Sequence, residues 1–515
     1  MQIRLIGWLA ILLLTVSVSF SAPRLGINLA GPSDWNTELP FVDVFHLSRA
    51  WISQREGVKW GTGPKLALDA HGWVTALEPG CWVDTLLCTI DGGHYPAGEY
   101  TLLYDGEGEF NALQAATVTR REPGRITLQV NPAKGAICLQ LRKTNPQNYV
   151  RNIRVIMPGF LDSYRTNPFH PAFLQRWKGV ACLRFMNWMA TNNSPLAHWT
   201  ERPLLDDATW TTHGIPLEIM LDLANRLHAD PWFCIPHQAD DDFVRRFAIL
   251  VKEKFAPERT VYLEYSNELW NSIFQQCRYV RERGVAEGLG TSEKSWEAGW
   301  RYGARRSAQL FAIWEEVFGG HTRLVRVLGT QAGNDYIANI ITEQDAAYQH
   351  ADALAIAPYL GLTPSPRHPT LKPEQVAEWP VDKVLDYLEQ TVLPATTVGI
   401  RKLHAVAAKH GLCLLAYEGG QHLVGINGGE NCLLLTALFK AANASPRMAD
   451  LYQRYFAAWT NQDGDLFCYF SSVSAWSKWG SWGAMQYYDE TPEQSPKYRA
   501  LQRWARECGQ AVGEF

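Results

Sequence analysis

The feature that most constrains the fold of this sequence is the regular alternation, from Pro171 onward, of short apolar runs and amphipathic segments. The apolar runs have the length of buried strands, and they are Ala181–Phe185, Pro231–Ile235, Val261–Tyr265, Arg323–Leu328, Ala353–Ala357, Leu412–Tyr417 and Leu466–Phe470. The segments between them carry apolar residues at three- and four-residue spacing, and they include Glu218–Leu227, Asp241–Lys254, Ser292–Val317, Val381–His410 and Met448–Thr460. With the earlier run Leu25–Leu29 as the first strand, eight strands alternate with helices. The sequence therefore predicts an α/β fold, a (β/α)8 TIM barrel.

A different sequence pattern interrupts this alternation between about Lys59 and Met157. Short alternating runs are separated there by Gly, Pro and Asp, which is typical of an antiparallel β-sandwich. The runs are Lys65–Leu68, Gly72–Leu77, Trp82–Ile90, Gly98–Tyr104, Ile126–Val130, Ala136–Arg142 and Val150–Ile156. We therefore expect residues 23–58 to hold the first barrel strand and its loop, 59–157 an inserted β-sandwich-like domain, and 158–515 the rest of the barrel.

The first residues have the pattern of an export signal. Arg4 precedes the apolar run Leu5–Phe20, and small residues close the segment at Ala22. This pattern predicts a secretory signal peptide over residues 1–22; the run is also about as long as a short membrane anchor, which is the alternative. No later stretch is long and apolar enough to span a bilayer. The mature protein is thus expected to be secreted, extracellular or periplasmic, without a membrane partner.

Charge and aromatic content indicate which classes of partner the protein can bind. The net charge is −4 with scattered Lys and Arg, so no basic stripe favours nucleic acid. The chain has 21 Trp, which serve either as core anchors or as flat platforms for sugar rings. Six tryptophans lie on predicted loops beyond strand ends, where core packing is a weaker explanation, and we expect about half of them to bind sugar rings. They are Trp188, Trp199, Trp270, Trp476, Trp479 and Trp482. Trp60, Trp73 and Trp82 in the inserted domain could face its core or solvent, and we favour a supporting role for that domain.

The ten cysteines do not form a metal-binding pattern. Cys182, Cys234, Cys413 and Cys468 lie inside apolar strand-like runs, which predicts packing in the barrel wall. The others could include a disulfide, but their spacing does not define a pairing. The acidic run Asp240–Asp242 is better explained as a helix start than as a metal cluster. We predict no metal site and no cofactor.

Two glutamates stand where a barrel enzyme carries its catalytic groups, at the C-terminal ends of strands. Val261–Tyr265 continues into Ser266, Asn267 and Glu268 in the string LEYSNELWN, and Leu412–Tyr417 ends on Glu418 before two glycines. A retaining glycosidase needs one acid and one nucleophilic carboxylate, about 5–5.5 Å apart, across its cleft. Each glutamate alone has a plain alternative: Glu268 in the first turn of a helix, and Glu418 in a Gly-rich turn.

The E-x-x-N-E string from Glu264 to Glu268 at the fourth strand, with a glutamate at the seventh, resembles glycoside hydrolase clan A. The resemblance implies that Glu268 is the general acid/base and Glu418 the nucleophile. It also implies a set of substrate-binding residues: Asn267 at the sugar 2-hydroxyl, Arg184 near the nucleophile, His237 after the third strand, Tyr359 at the nucleophile and Trp476 under the reactive sugar. The chain resembles family 5 of the clan but differs at the sixth strand, where His-x-Tyr is replaced by Ala357, Pro358 and Tyr359.

Elementary electrostatics assigns the same roles. A positive Arg184 next to Glu418 would lower the pKa of that carboxyl group and keep it ionised. An apolar wall and repulsion from Glu418 would keep Glu268 protonated near neutral pH, while Glu264 points into the barrel and is structural. The sequence thus predicts a secreted retaining hydrolase that cuts a β-linked polysaccharide such as a glucan or mannan. The alternatives are a non-catalytic carbohydrate-binding protein and a transglycosylase that uses the same two glutamates.

Overall fold

The computed structural model describes residues 22–362 and 371–514. The predicted signal peptide, residues 1–22, lies outside the described residues except for Ala22. No helix within the described residues is long and apolar enough to cross a membrane.

Eight parallel strands form a closed barrel in chain order. The eighth strand pairs with the first through Leu25 and Phe467, which closes the ring. The strands are Leu25–Asn28, Cys182–Arg184, Asp230–Ile235, Val261–Tyr265, Leu324–Gly329, Ala353–Ile356, Cys413–Ala416 and Gly464–Phe470. This confirms the predicted (β/α)8 barrel and all eight of its predicted strands. Val261–Tyr265 has the predicted bounds, while the last strand begins two residues earlier than predicted, where Gly464 pairs with Leu414.

Helices surround the barrel and bury their apolar faces against its strands. They are Pro171–Trp177, Leu217–Leu227, Asp241–Lys254, Gln275–Ala286, Ser295–Phe318, Asp335–Glu343, Pro373–Ala377, Val381–Tyr387, Leu393–Lys409, Leu433–Ala444, Arg447–Thr460 and Pro496–Glu507. Asp240 caps one of them, since its side chain accepts a hydrogen bond from the backbone N–H of Phe243. The acidic run therefore opens a helix. A π-helical turn at Leu388–Val392 interrupts the predicted helix Val381–His410, just before Pro394, which has no N–H to donate.

Between the first and second barrel strands the chain forms two four-stranded sheets with antiparallel pairing. One sheet has the order Ile52–Arg55, Cys81–Leu87, Ile137–Thr144, Gly108–Gln114, and the other Arg151–Ile156, Gly98–Asp105, Arg125–Val130, Ala116–Glu122. Their facing side chains share one hydrophobic core. This unit is the inserted β-sandwich that the sequence predicts, but its first strand, Ile52–Arg55, lies before the predicted start at residue 59. The predicted strands Lys65–Leu68 and Gly72–Leu77 instead form a separate two-stranded sheet of Ala67–Leu68 and Val74–Ala76. The sequence prediction missed three strands, Ile52–Arg55, Gly108–Gln114 and Ala116–Glu122. The last two show little alternation of apolar and polar residues, because most of their residues are exposed or polar.

The tryptophans of the sandwich divide between core and surface. Trp73 is buried and stacks on Phe45 at 6.0 Å, whereas Trp60 is 57% exposed. Trp82 is half-buried beneath the guanidinium of Arg142, 4.0 Å from its ring. These positions give Trp73 a structural role and leave the face of Trp60 open to solvent.

The predicted packing of four cysteines in the barrel wall is confirmed for three of them. Cys182, Cys234 and Cys468 are fully buried in the barrel interior. The prediction is wrong for Cys413, which is exposed because it begins the seventh strand at the rim of the barrel. All ten cysteines lie within the described residues and are free thiols.

Candidate active site

The two glutamates lie in loops at the C-terminal end of the barrel. Glu268 follows the fourth strand, and the next helix begins only at Gln275, so Glu268 is not in the first turn of a helix. Ser266 and Glu268 both have left-handed backbones, with φ of 58° and 44°. Non-glycine residues rarely adopt this conformation, which costs of order 1–3 kcal/mol at each position and clusters at functional sites. The turn that carries Glu268 is therefore held by its surroundings.

Glu418 follows the seventh strand and is buried. The next residue has to be glycine, because a Cβ atom on Gly419 would lie 2.3 Å from the ring of Phe467. The Gly-rich turn therefore lets the backbone pass close to the eighth strand, while the Glu418 side chain points to the mouth of the barrel.

Arg184 connects the groups that line the mouth of the barrel. It is fully buried at the end of the second strand. Its guanidinium donates hydrogen bonds to Glu418 Oε1 at 2.9 Å and Glu264 Oε2 at 2.8 Å. It also donates to Asn267 Oδ1 at 2.9 Å and to Asn28 Oδ1 at 3.1 Å. A planar fork with five N–H donors suits this role, so one arginine fixes the orientation of four acceptors.

Tyr359 holds the second oxygen of Glu418. Its hydroxyl, from the loop after the sixth strand, donates to Glu418 Oε2 at 2.9 Å. Burial raises the pKa of Glu418 to about 7, while Arg184 opposes this rise, Glu268 adds to it and Tyr359 opposes it. Arg184 thus acts in the expected direction, but burial outweighs it, so the expectation of a lowered pKa for Glu418 is wrong.

Glu268 is held by two donors that differ from those of Glu418. Tyr417 donates to Oε1 at 3.1 Å and the Asn271 amide to Oε2 at 2.8 Å. Burial raises the pKa of Glu268 nonetheless, against these two hydrogen bonds. Two carboxyl groups in one desolvated site resist simultaneous ionisation, and the charge of Glu268 accordingly raises the pKa of Glu418.

Glu264 lies beneath this pair and points into the barrel, as the sequence indicated. It is 2% exposed, and the same Oε2 that meets Arg184 also accepts from Trp232 Nε1 at 2.8 Å. The thiol of Cys234 lies 3.4 Å from this oxygen. These contacts hold Glu264 as the lower partner of Arg184.

Asn267 is fixed by a chain of side-chain amides. Its Nδ2 donates to Asn192 Oδ1 at 3.0 Å, and Gln276 Nε2 donates to the same oxygen at 2.7 Å. Asn192 comes from the loop after the second barrel strand. The amide of Asn267 therefore has a defined orientation next to Glu268.

Two predicted site residues lie outside this hydrogen-bond network. His237 follows the third strand and is buried, and its Nδ1 has no hydrogen-bond partner among the described residues. Burial lowers its pKa to about 4, so its ring is neutral. Trp476 packs under the Lys497 ammonium, 4.5 Å from the ring. Trp482, from the same loop, instead lies edge-on against Tyr359 at 5.8 Å and His422 at 5.0 Å.

Sequence reasoning missed several members of the site. Asn28 and Tyr417 stand at the ends of the first and seventh strands, and a polar group at a strand end is the signal that could have found them. Asn192 and Asn271 lie within loops and give no such signal. Trp188, named among the loop tryptophans, is fully buried and donates to the Ala30 carbonyl.

No protein-family model matches the chain, and no curated protein matches it. Solved structures similar to it include a GH51 arabinofuranosidase from Xanthomonas axonopodis pv. citri, with 13% identity, 59% of each chain covered and a TM-score of 0.35. The chain thus spans 59% of the length of that protein. A 4-O-alpha-L-rhamnosyl-beta-D-glucuronidase from Fusarium oxysporum matches at 9% identity over 67% of this chain and 66% of its own, with a TM-score of 0.38. A GH5-4 broad specificity endoglucanase from Clostridium acetobutylicum matches at 10% identity over 65% and 90%, with a TM-score of 0.35. At these scores the likenesses carry no conclusion about the activity of this chain.

Proposed function

We propose that this protein is a secreted glycoside hydrolase that cuts a β-linked polysaccharide with retention of configuration. The observation that carries the proposal is the geometry around Arg184. This arginine and Tyr359 each hold one oxygen of Glu418, while Tyr417 and Asn271 hold Glu268 separately. Two buried carboxyl groups with different partners can take different protonation states and different roles.

The first step would form a covalent glycosyl-enzyme. Glu268 donates its proton to the glycosidic oxygen while an oxygen of Glu418 attacks the anomeric carbon. The bond from the anomeric carbon to the glycosidic oxygen breaks, and the leaving sugar departs as an alcohol. In the second step Glu268 takes a proton from water, the water oxygen attacks the anomeric carbon, and Glu418 leaves as a carboxylate.

The protein's own donors support these roles. Arg184 and Tyr359 stabilise the negative charge on Glu418 before attack and after its release. Burial raises the pKa of Glu268, which favours the protonated acid in the first step. Asn267 presents an oriented amide beside this acid and is suited to a sugar hydroxyl.

Exposed aromatic rings around the barrel mouth favour a polymeric substrate. Trp35, in the loop after the first strand, is 61% exposed, and Trp479, in the loop after the eighth, is 65% exposed. Large exposed rings at loop positions offer flat faces to sugar rings. The pattern of residues 1–22 supports secretion, which suits an extracellular polymer.

The test is reducing-sugar release from a panel of glucans, mannans and related polysaccharides by the mature protein. Activity is expected for the wild type, and Glu418→Gln and Glu268→Gln should each abolish it on the polymer. Glu253→Gln, on the exposed outer face of a helix, is the matched control and should keep full activity. No release from any polymer, or normal release by Glu418→Gln, would reject the proposal.

A further inference from the structure

A cleft lies where the β-sandwich meets the barrel, apart from the catalytic glutamates. It has a volume of about 630 Å³ and is lined by residues 48–51 and most residues between 66 and 72 on the sandwich side, and by most of the residues between 195 and 214 on the barrel side. Ligand sites have volumes of about 300–1,000 Å³ and occur preferentially between domains. The size and the position of this cleft both fit a ligand site.

The two walls of the cleft are joined, so the cleft exists before any ligand enters. The backbone N–H of Ala208 donates to the His71 carbonyl at 2.8 Å, and Trp73 Nε1 donates to the Asp206 carbonyl at 3.0 Å. A preformed site loses little conformational freedom on binding, which favours affinity.

Every carboxylate and arginine that lines the cleft has a protein partner. Asp69 accepts hydrogen bonds from the backbone N–H groups of His71 and Trp73, and Glu201 accepts from those of Ala197 and His198. Asp207 pairs with His71 at 3.1 Å, and Arg49, which also lines the cleft, pairs with Asp34 at 2.7 Å. Arg202 pairs with Glu218 at 3.2 Å. Because the arginines are paired with carboxylates and the remaining carboxylates are held by N–H donors, the cleft is better suited to a neutral ligand than to an anion.

The remaining lining groups match a saccharide. The indole N–H of Trp51 donates to the Gly72 carbonyl at 3.1 Å, which leaves the half-buried ring for apolar contact. Thr200, Thr212 and His213 are exposed at the cleft, and their side chains have no hydrogen-bond partner within the described part of the chain. An aromatic face with free hydroxyl and imidazole groups can bind the C–H face and the hydroxyls of a sugar.

One loop connects this cleft to the catalytic site. Asn192, which holds Asn267 beside Glu268, lies only four residues before Leu196, which lines the cleft. Four residues span at most about 14 Å even when fully extended. A polymer held at the catalytic residues therefore has a second binding surface within reach.

We propose that this cleft, which we call the junction cleft, binds a neutral stretch of the same polysaccharide at a distance from the scissile bond. This rests on the proposed function, because the polymer is the substrate of the catalytic site. The junction cleft would raise the affinity for long chains and contribute nothing to the hydrolysis of short ones.

The experiment compares a polymer with a short aryl glycoside of the same sugar. Trp51→Ala should raise KM for the polymer by roughly tenfold, the effect of one lost aromatic contact, and leave kcat and the KM for the aryl glycoside unchanged. Thr200→Trp fills the junction cleft from an exposed position and should give the same split. Trp60→Ala removes an exposed tryptophan that does not line the cleft, and it should match the wild type.

An unchanged KM for the polymer in Thr200→Trp, with normal thermal unfolding, would overturn the proposal that the junction cleft binds the polysaccharide. A KM that rises equally for both substrates would also overturn it, since that result indicates a structural defect. If the wild type hydrolyses nothing, the proposed function fails on its own. Affinity electrophoresis in polysaccharide gels would then still test the junction cleft, through retardation that Thr200→Trp abolishes and Glu418→Gln preserves.

Discussion

The carboxyl group of Glu418 is expected to weaken the fold at neutral pH, and removing its charge should reveal the cost. Burial raises its pKa in the folded protein from 4.5 to about 7. Below pH 4.5 the group is protonated in both the folded and unfolded states and costs nothing. As the pH rises through 4.5 to about 7, only the unfolded chain ionises freely, so the folded state loses stability.

The size of this effect follows from the shift. Each pH unit corresponds to about 1.4 kcal/mol, so the full difference is on the order of 3 kcal/mol above pH 7. Glu418→Gln replaces the acid by a neutral group of the same shape, and it should therefore be more stable than the wild type at pH 8 by about that amount. Unfolding a chain of this length has an entropy of about 1 kcal/mol per kelvin, which converts the gain to roughly 3 °C in Tm.

The assay is thermal unfolding of the wild type and Glu418→Gln at half-unit steps from pH 4 to 8. The Tm difference should be near zero at pH 4 and grow to its full value by pH 7. Glu253→Gln, which replaces an exposed glutamate, should show no such trend. A Glu418→Gln variant that is less stable at pH 8, or whose Tm difference does not change with pH, would refute the reasoning.

Three further outcomes follow from the same contacts. Glu268→Ala should still form the intermediate from a dinitrophenyl glycoside, and azide should restore turnover and yield a β-glycosyl azide with retained configuration; an inverted α-glycosyl azide from Glu268→Ala would make Glu268 the nucleophile and exchange the two roles. Tyr359→Phe removes a donor to Glu418, so kcat/KM should fall about tenfold and its acidic limb should move to higher pH; an unshifted limb would contradict this. Trp73→Ala should cost about 3–5 kcal/mol in urea unfolding because its ring is buried, whereas equal stability would make it a surface residue.

Much of the barrel could be predicted because its physical signals are local. Each barrel strand is a short apolar run between helices with a three-to-four-residue apolar spacing, so Val261–Tyr265 was found with its bounds. The same logic places Glu268 and Glu418 at the mouth, since both lie within three residues of the end of a strand. The strands of the inserted sandwich were harder to predict from the sequence, because strands such as Ala116–Glu122 expose most of their side chains and so carry few apolar residues.

The partners in the candidate site could not be predicted in the same way, because they meet only after the chain folds. Arg184 and Asn28 lie far apart in sequence but 3.1 Å apart in space. His422, Phe470 and Trp482 lie against Tyr359. Trp476, which the resemblance placed under the reactive sugar, packs against Lys497. The side-chain direction within such a loop depends on packing, and Trp476 is turned toward Lys497.

The most direct test of the central claim is to identify the residue that becomes covalently attached to the sugar. The protein would be incubated with a set of 2-deoxy-2-fluoro β-glycosides that carry a dinitrophenol leaving group, digested, and mapped by mass spectrometry. The fluorine slows release of the intermediate, so the adduct should accumulate on Glu418 and be absent from Glu418→Gln. Hydrolysis of an unfluorinated glycoside with an adduct on Glu264 or Glu268, or with no adduct at all, would contradict the account.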